Sequence, residues 1–219
     1  MFGTSNIWPM IWSASVETLY MVSISTLVTT LLGVPLGVVL VVTRQGHIME
    51  NSALNRILGL VVNFVRSIPF PIFIVFIIPM TRALVGTTIG PTAVIVPLTL
   101  AAIVFMARLA ETAMLEVPYG VIEAALAAGA NRRQVIWHVL LPEASSGLIL
   151  AVTILIITLI GYSAMAGLIG GGGLGDLAVR YGYQRYRSDV MWVCVILLSL
   201  VVQAIQSFGE ALARKYNRR

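Results

Sequence analysis

Charged side chains make up only 11% of this 219-residue sequence, and that scarcity decides much before any motif is read. A chain so poor in charge cannot cover a water-facing surface of this size, so a soluble domain is excluded. The single lysine, Lys215, stands close to the C-terminus. A phosphate loop of the GKS or GKT type needs a lysine after its glycines, so ATP hydrolysis by that route is excluded and energy must come from elsewhere. The single cysteine, Cys194, lies in a hydrophobic run; it cannot close an intrachain disulfide and reads as a packing residue. No basic residue precedes the first apolar run, which predicts that no signal peptide is cleaved.

Hydrophobic residues reach 58%, with a mean hydropathy of +0.95. A bilayer core about 30 Å thick takes roughly 20 helical residues per crossing. The expectation is an all-α polytopic membrane protein, one domain over residues 1–219, with about five transmembrane helices. The spans are placed at Val16 to Val42, Leu54 to Met80, about Pro91 to Ala113, about Glu143 to Gly167, and Val190 to Phe208. Trp8 and Trp12 suit an interfacial belt before the first span. Within that span Gly33-Val-Pro-Leu-Gly37 is a GxxxG pattern containing a proline; close helix packing and a proline kink are both open. In the second span Arg66, Pro69 and Pro71 interrupt the helix, so Leu54 to Val65 either hugs the interface or packs inside the bundle. Arg108 and Glu111, three residues apart, read as an interfacial salt bridge more readily than as a substrate site. Basic residues divide ten to four: Arg44, Arg56, Arg66, Arg108, Arg132, Arg133, Arg214, Lys215, Arg218 and Arg219 inside, against Arg82, Arg180, Arg185 and Arg187 outside. That split puts the N-terminus outside and the C-terminus in the cytoplasm.

One long polar-containing stretch on the inner side, Glu123 to Pro142, reads EAALAAGANRRQVIWHVLLP. Val121 to Ala128 is rich in helix formers, and Gly129 stands where a left-handed residue would end the helix. Asn131 is an N-cap with Gln134 three residues on, and Pro142 is expected to stop or restart the chain. Glu123, Ala124, Ala125, Gly129, Val139, Leu141 and Pro142 together resemble the EAA loop of ABC importer permeases. The phrase VRSIPF, with the GYSAMAG run, GGGGLGD and YGYQRY, is similar to the methionine branch of that family. The resemblance implies a coupling helix, within a loop of about residues 114–142, that docks into a cleft on a separate ATPase; Glu123, Ala124, Ala125, Gly129, Leu141 and Pro142 carry that role. It also implies a permease in the bacterial cytoplasmic membrane. Its partners would be a second copy of itself, two ATP-binding ATPase subunits, an external substrate-binding protein and methionine. No cofactor or metal is expected on this chain, with ATP and Mg on the partner ATPase, and no nucleic acid is involved. A permease for another small amino acid, or an ATPase-coupled scaffold that moves nothing, are the other readings.

Catalysis is not expected. Gly173-Leu-Gly175-Asp176 matches the GxGD signature of intramembrane aspartyl proteases, yet the one other aspartate, Asp189, lies in the same outer segment. Gly161-Tyr-Ser163 would need a histidine base, and His47 and His138 are both assigned to the inner side. The consecutive glycines Gly170 to Gly173 permit a backbone reversal or re-entrant turn. Just before them, Met165 is the one large flexible side chain in Ser163-Ala-Met-Ala-Gly167. At the axis of a homodimer it would serve as a translocation gate, or else it packs within its own subunit. Arg180 to Arg187 interleaves arginines with Tyr181, Tyr183 and Tyr186; interface anchoring and docking of an external protein are both open.

Overall fold

The computed structural model describes residues 7–217; Met1 to Asn6, the start of the expected external end, and Arg218 and Arg219 of the basic tail lie outside it. The described residues form helices α1 (Ile7–Val42), α2 (Ser52–Ser67), α3 (Phe70–Phe76), α4 (Ile78–Val85), α5 (Pro91–Leu115) and α6 (Tyr119–Ala127). A short α7 (Arg132–Gln134) runs through a π-helical stretch (Val135–Leu140) into α8 (Leu141–Glu143) and then α9 (Ser145–Gly167). A small α10 (Gly173–Leu177) with a second π-helical stretch (Ala178–Tyr183) precedes α11 (Ser188–Lys215). Four helices, α1, α5, α9 and α11, are long and apolar enough to cross a membrane, and α2 with α3 makes a fifth candidate bent by 100°.

That bend falls where Arg66, Pro69 and Pro71 were expected to interrupt the second span. Pro69 is extended, at φ −58° and ψ 132°, and its carbonyl accepts the amides of Ile72 and Phe73 at 2.9 Å to start α3. Pro71 stands in the first turn of α3, where a missing amide costs nothing. Beyond it α4 occupies Ile78–Val85, which runs past the expected end of that span at Met80. Helix α1 also starts earlier than expected, at Ile7 instead of Val16. Pro9 falls in its first turn, where helix amides have no intrahelical acceptor. Trp8 and Trp12 are thus on the helix, 70% and 73% exposed.

The chain forms two compact units. The first takes residues up to Val28, Ile68–Ala101 and Ile156–Gln206. Ile11, Ala14, Leu174, Leu177, Val190 and Cys194 are buried together in it, and Phe70 stacks on Tyr162 with ring centroids 4.3 Å apart. Cys194 is fully buried, as a packing residue should be.

The second takes Thr29–Ser67, Ala102–Leu155 and the chain from Ser207. Leu40, Val62, Val104 and Ala107 are buried at its centre, with Leu36, Leu58 and Val65 against them. Val62, Leu58 and Val65 give α2 one packed face, whereas Ile57, Leu60, Val61 and Phe64 are exposed. Arg108 donates to Glu111 at 2.5 Å, to the Gly59 carbonyl at 3.2 Å and to Asn63 Oδ1 at 2.9 Å, so the expected salt bridge also ties α5 to α2.

The GxxxG pattern in this unit is a packing surface. Helix α1 runs unbroken through Pro35. A Cβ on Gly33 would lie 2.8 Å from Met106 Cβ, and one on Gly37 2.8 Å from both the Ala107 carbonyl and Ala110 Cβ. Bare glycine surfaces let α1 meet α5 backbone to backbone, the close approach through which membrane helices associate. Gly37→Leu is therefore expected to cost about 1–3 kcal/mol by overpacking, seen as a lowered melting temperature of the detergent-purified protein. Gly120→Ala, at a helical glycine with open space around it, should leave that temperature unchanged.

Candidate functional site

The loop between α5 and α9 has the helix, break and helix order that its sequence predicts. Pro118 precedes α6 in an extended conformation, and Val117 and Ile122 are buried at 6% and 1% exposure. Those two side chains fasten the segment; most of its remaining surface is open. Glu123 and Ala124 are exposed, Ala125 is half-buried, and Tyr119, Val121 and Leu126 each show about 40% of their surface.

Gly129 ends α6 with φ +88°. Its amide donates to the Leu126 carbonyl at 3.0 Å, and the Ala130 amide donates to the Ala125 carbonyl at 3.1 Å. Those two bonds are the Schellman pair, which satisfies the helix's last carbonyls and needs a left-handed residue at this position. The chain restarts at once. The Gln134 amide donates to Asn131 Oδ1 at 3.0 Å while the Asn131 amide donates to Gln134 Oε1 at 2.8 Å, a complete capping box.

Pro142 restarts the chain rather than stopping it, standing in the first turn of α8. The π-helical stretch immediately before it widens the turn, so a residue without an amide is carried inside a continuing helical path. The Ala144 amide donates to the Leu140 carbonyl at 3.0 Å and the Leu148 amide to the Ala144 carbonyl at 2.8 Å. Leu141 and Pro142 are half-buried between the fully buried Leu140 and the buried Ala144. From Asn131 onward the segment is thus joined to α9 by helical backbone with one turn residue, Ala144, between α8 and α9.

A contact not visible in the sequence braces the start of α6. The loop after α1 folds back on the helix end: the Met49 amide donates to Val42 at 2.9 Å, Asn51 to Thr43 at 2.9 Å, and Asn55 Nδ2 to the Leu40 carbonyl at 2.6 Å. His47, on this loop, meets the Tyr119 ring edge-on at 5.8 Å. Burial holds its imidazole below the ordinary value of 6.5, and the nearby Arg44 charge pushes the same way, so the neutral ring is favoured.

Met165 lies at the other end of α9. It is 45% exposed, whereas Ser163 and Ala166 beside it are buried. After Gly167 the chain reverses through Gly170, Gly172 and Gly173, with φ of +83°, +78° and +78°. The reversal brings α10 onto the end of α9 at backbone distance: a Cβ on Gly175 would lie 2.3 Å from Ala164 Cα, and one on Gly167 2.3 Å from the Asp176 nitrogen. Farther along, Arg180 pairs with Asp176 and Arg187 with Asp189, while Arg185 sits 4.4 Å over the Tyr181 ring. Tyr183 and Tyr186 are 72% and 90% exposed. Among the described residues, no three of His, Cys, Asp and Glu gather where they could hold a metal ion.

Known proteins share this architecture. The profile of the family described as binding-protein-dependent transport system inner membrane component matches residues 30–218. The probable D-methionine transport system permease protein MetI of Vibrio cholerae is 54% identical over 207 residues, covering 94% of this chain and 92% of its own. The methionine import system permease protein MetP of Bacillus subtilis is 43% identical over 209 residues, covering 95% of this chain and 94% of its own. A solved chain from the MetNI methionine ABC transporter in inward-facing conformations is 46% identical with a TM-score of 0.95, covering 99% of this chain and 100% of that one. A chain of an amino acid ABC transporter has the same fold at 18% identity, with a TM-score of 0.72 over 98% of this chain and 96% of its own. The long apolar helices and the helix-break-helix loop thus have a family, and this chain belongs to it: the inner membrane components of binding-protein-dependent transport systems.

Proposed function

We propose that this chain is the permease subunit of an ATP-driven importer for methionine. It works as a pair with a second copy, above two ATPase subunits that bind ATP and Mg, and receives its cargo from an external binding protein. Its N-terminus is outside and its C-terminus cytoplasmic. The observation that carries the coupling part is α6. A short, mostly apolar segment fastened by Ile122, with Glu123, Ala124 and neighbouring apolar side chains left in the open, is a surface made to be covered. Small side chains there make a slim ridge that enters a cleft on the ATPase. The cargo assignment is supported by the methionine permeases to which the chain is similar.

The mechanism is alternating access. Closure of the ATPase pair displaces α6, whose position relative to α7 is set by the Gly129 turn. The capped, continuous path through Leu141 and Pro142 passes that displacement into α9, a single helix from Ser145 to Gly167 with Met165 near its far end. Two copies of Met165 meeting at the two-fold axis close the path, and the unbranched thioether repacks at low cost when they part. This chain performs no chemistry of its own.

The test of the whole reading is ATP-dependent accumulation of labelled methionine in liposomes holding the complex and its binding protein. Hydrolysis without accumulation would make the chain a scaffold, and accumulation of a different amino acid only would reassign the cargo. The coupling part is tested by Gly129→Val. A β-branched residue in the left-handed conformation costs about 1–2 kcal/mol and misaligns α6. The ATPase should still copurify while uptake per ATP hydrolysed falls; parent-like coupling in this variant would remove α6 from the mechanism.

A further inference from the structure

Helix α10 begins without a cap of its own. Its first two residues are Gly173 and Leu174, and the residue before it, Gly172, has no side chain to accept their amides. The acceptors come from α1 instead. The Gly173 amide donates to Glu17 Oε2 at 2.7 Å and the Leu174 amide to Thr18 Oγ1 at 2.9 Å. Thr18, buried, passes its own hydroxyl proton back to the Ala14 carbonyl at 3.0 Å, which fixes its oxygen as an acceptor. The fit is tight: a Cβ on Gly172 would lie 2.8 Å from Glu17 Oε2, and one on Gly173 2.6 Å from Thr18 Oγ1. A carboxylate at the positive end of a helix, accepting a backbone amide, is stronger than a neutral cap. Glu17 also adds to the negative field on Arg180 beside Asp176.

The opposite side of α10 is locked to Ala164 and Gly167 of α9 by the glycine contacts described above. Whatever holds α10 to α1 therefore also holds the α9 end that carries Met165. We infer that Glu17 is a positioning residue for the gate: its carboxylate pins the glycine turn to α1, so that the outer end of α9 rests in a defined closed position until the ATPase pair moves it. Thr18 serves as the second point of the same clamp. The inference rests on the transport reading above, but the clamp itself is observable without cargo.

Parent, Glu17→Gln and Glu17→Met are compared as full complexes in liposomes. Glutamine keeps an acceptor oxygen at nearly the same place, whereas methionine keeps the side chain's length and loses the acceptor. Glu17→Met is expected to raise ATP hydrolysis in the absence of binding protein about tenfold, and to speed hydrogen exchange at the Gly173 and Leu174 amides by about the same factor, as loss of one charge-assisted bond would. Glu17→Gln should return both readouts most of the way to the parent. Parent-like values in Glu17→Met, or equal values in the two variants, would overturn the proposal, since a role in packing alone does not depend on an acceptor. If Glu17→Met does not assemble, Thr18→Val removes the second acceptor at constant shape, and parent-like hydrolysis and exchange there would likewise overturn it. A parent complex that accumulates no amino acid defeats the transport reading instead, and exchange at the two amides still decides whether Glu17 holds the turn.

Discussion

A glycine has no Cβ, and the parts of this chain that matter most are built where that carbon would collide with something. At Gly33 and Gly37 the obstacle is the backbone and Cβ atoms of α5; at Gly167 and Gly175 it is the backbone of the chain itself, folded back on α9. Hydrocarbon offers no hydrophobic incentive for one apolar helix to choose another, so close packing of bare backbones has to supply the preference. The same residue type supplies the turns. Gly129, Gly170, Gly172 and Gly173 take positive-φ conformations that a side chain would strain, and they let long helices give way to segments that reverse direction.

How much of this could be read in advance follows from the range of each interaction. The Gly129 turn and the Asn131–Gln134 capping box were legible because every partner lies within six residues, and both are present with good geometry. The Arg108–Glu111 pair was legible for the same reason, but its bonds to Gly59 and Asn63 were not. Pro142 was legible as a stop or a restart, and it restarts the chain in the first turn of α8; the π-helical stretch before it had no such local signal. The alternatives at Gly33-Val-Pro-Leu-Gly37 could be decided only by seeing which residues of α5 stand opposite. Glu17 had no local signal at all: an acid near the start of an apolar span finds its partner 156 positions away.

Function divides along the same line. Family membership follows from the profile match over residues 30–218, and the loop geometry agrees with it. Cargo is a different matter, because the chain gathers no set of side chains that by itself spells methionine; relatives carry that part of the reading. What the geometry adds is a division of labour. In the proposed mechanism, buried Ile122 and the loop at His47 hold α6, exposed Glu123 and Ala124 face the ATPase, and α9 carries the movement from Ser145 towards Met165.

The central claim is that ATP binding below is felt at residue 165. The most direct measurement places spin labels on Met165→Cys in both copies of the assembled complex, in a background where the buried Cys194 is replaced by alanine, and reads the distance between them. The account predicts one distance without nucleotide and a different one with ATP held unhydrolysed. A distance that is the same in the two states would contradict it.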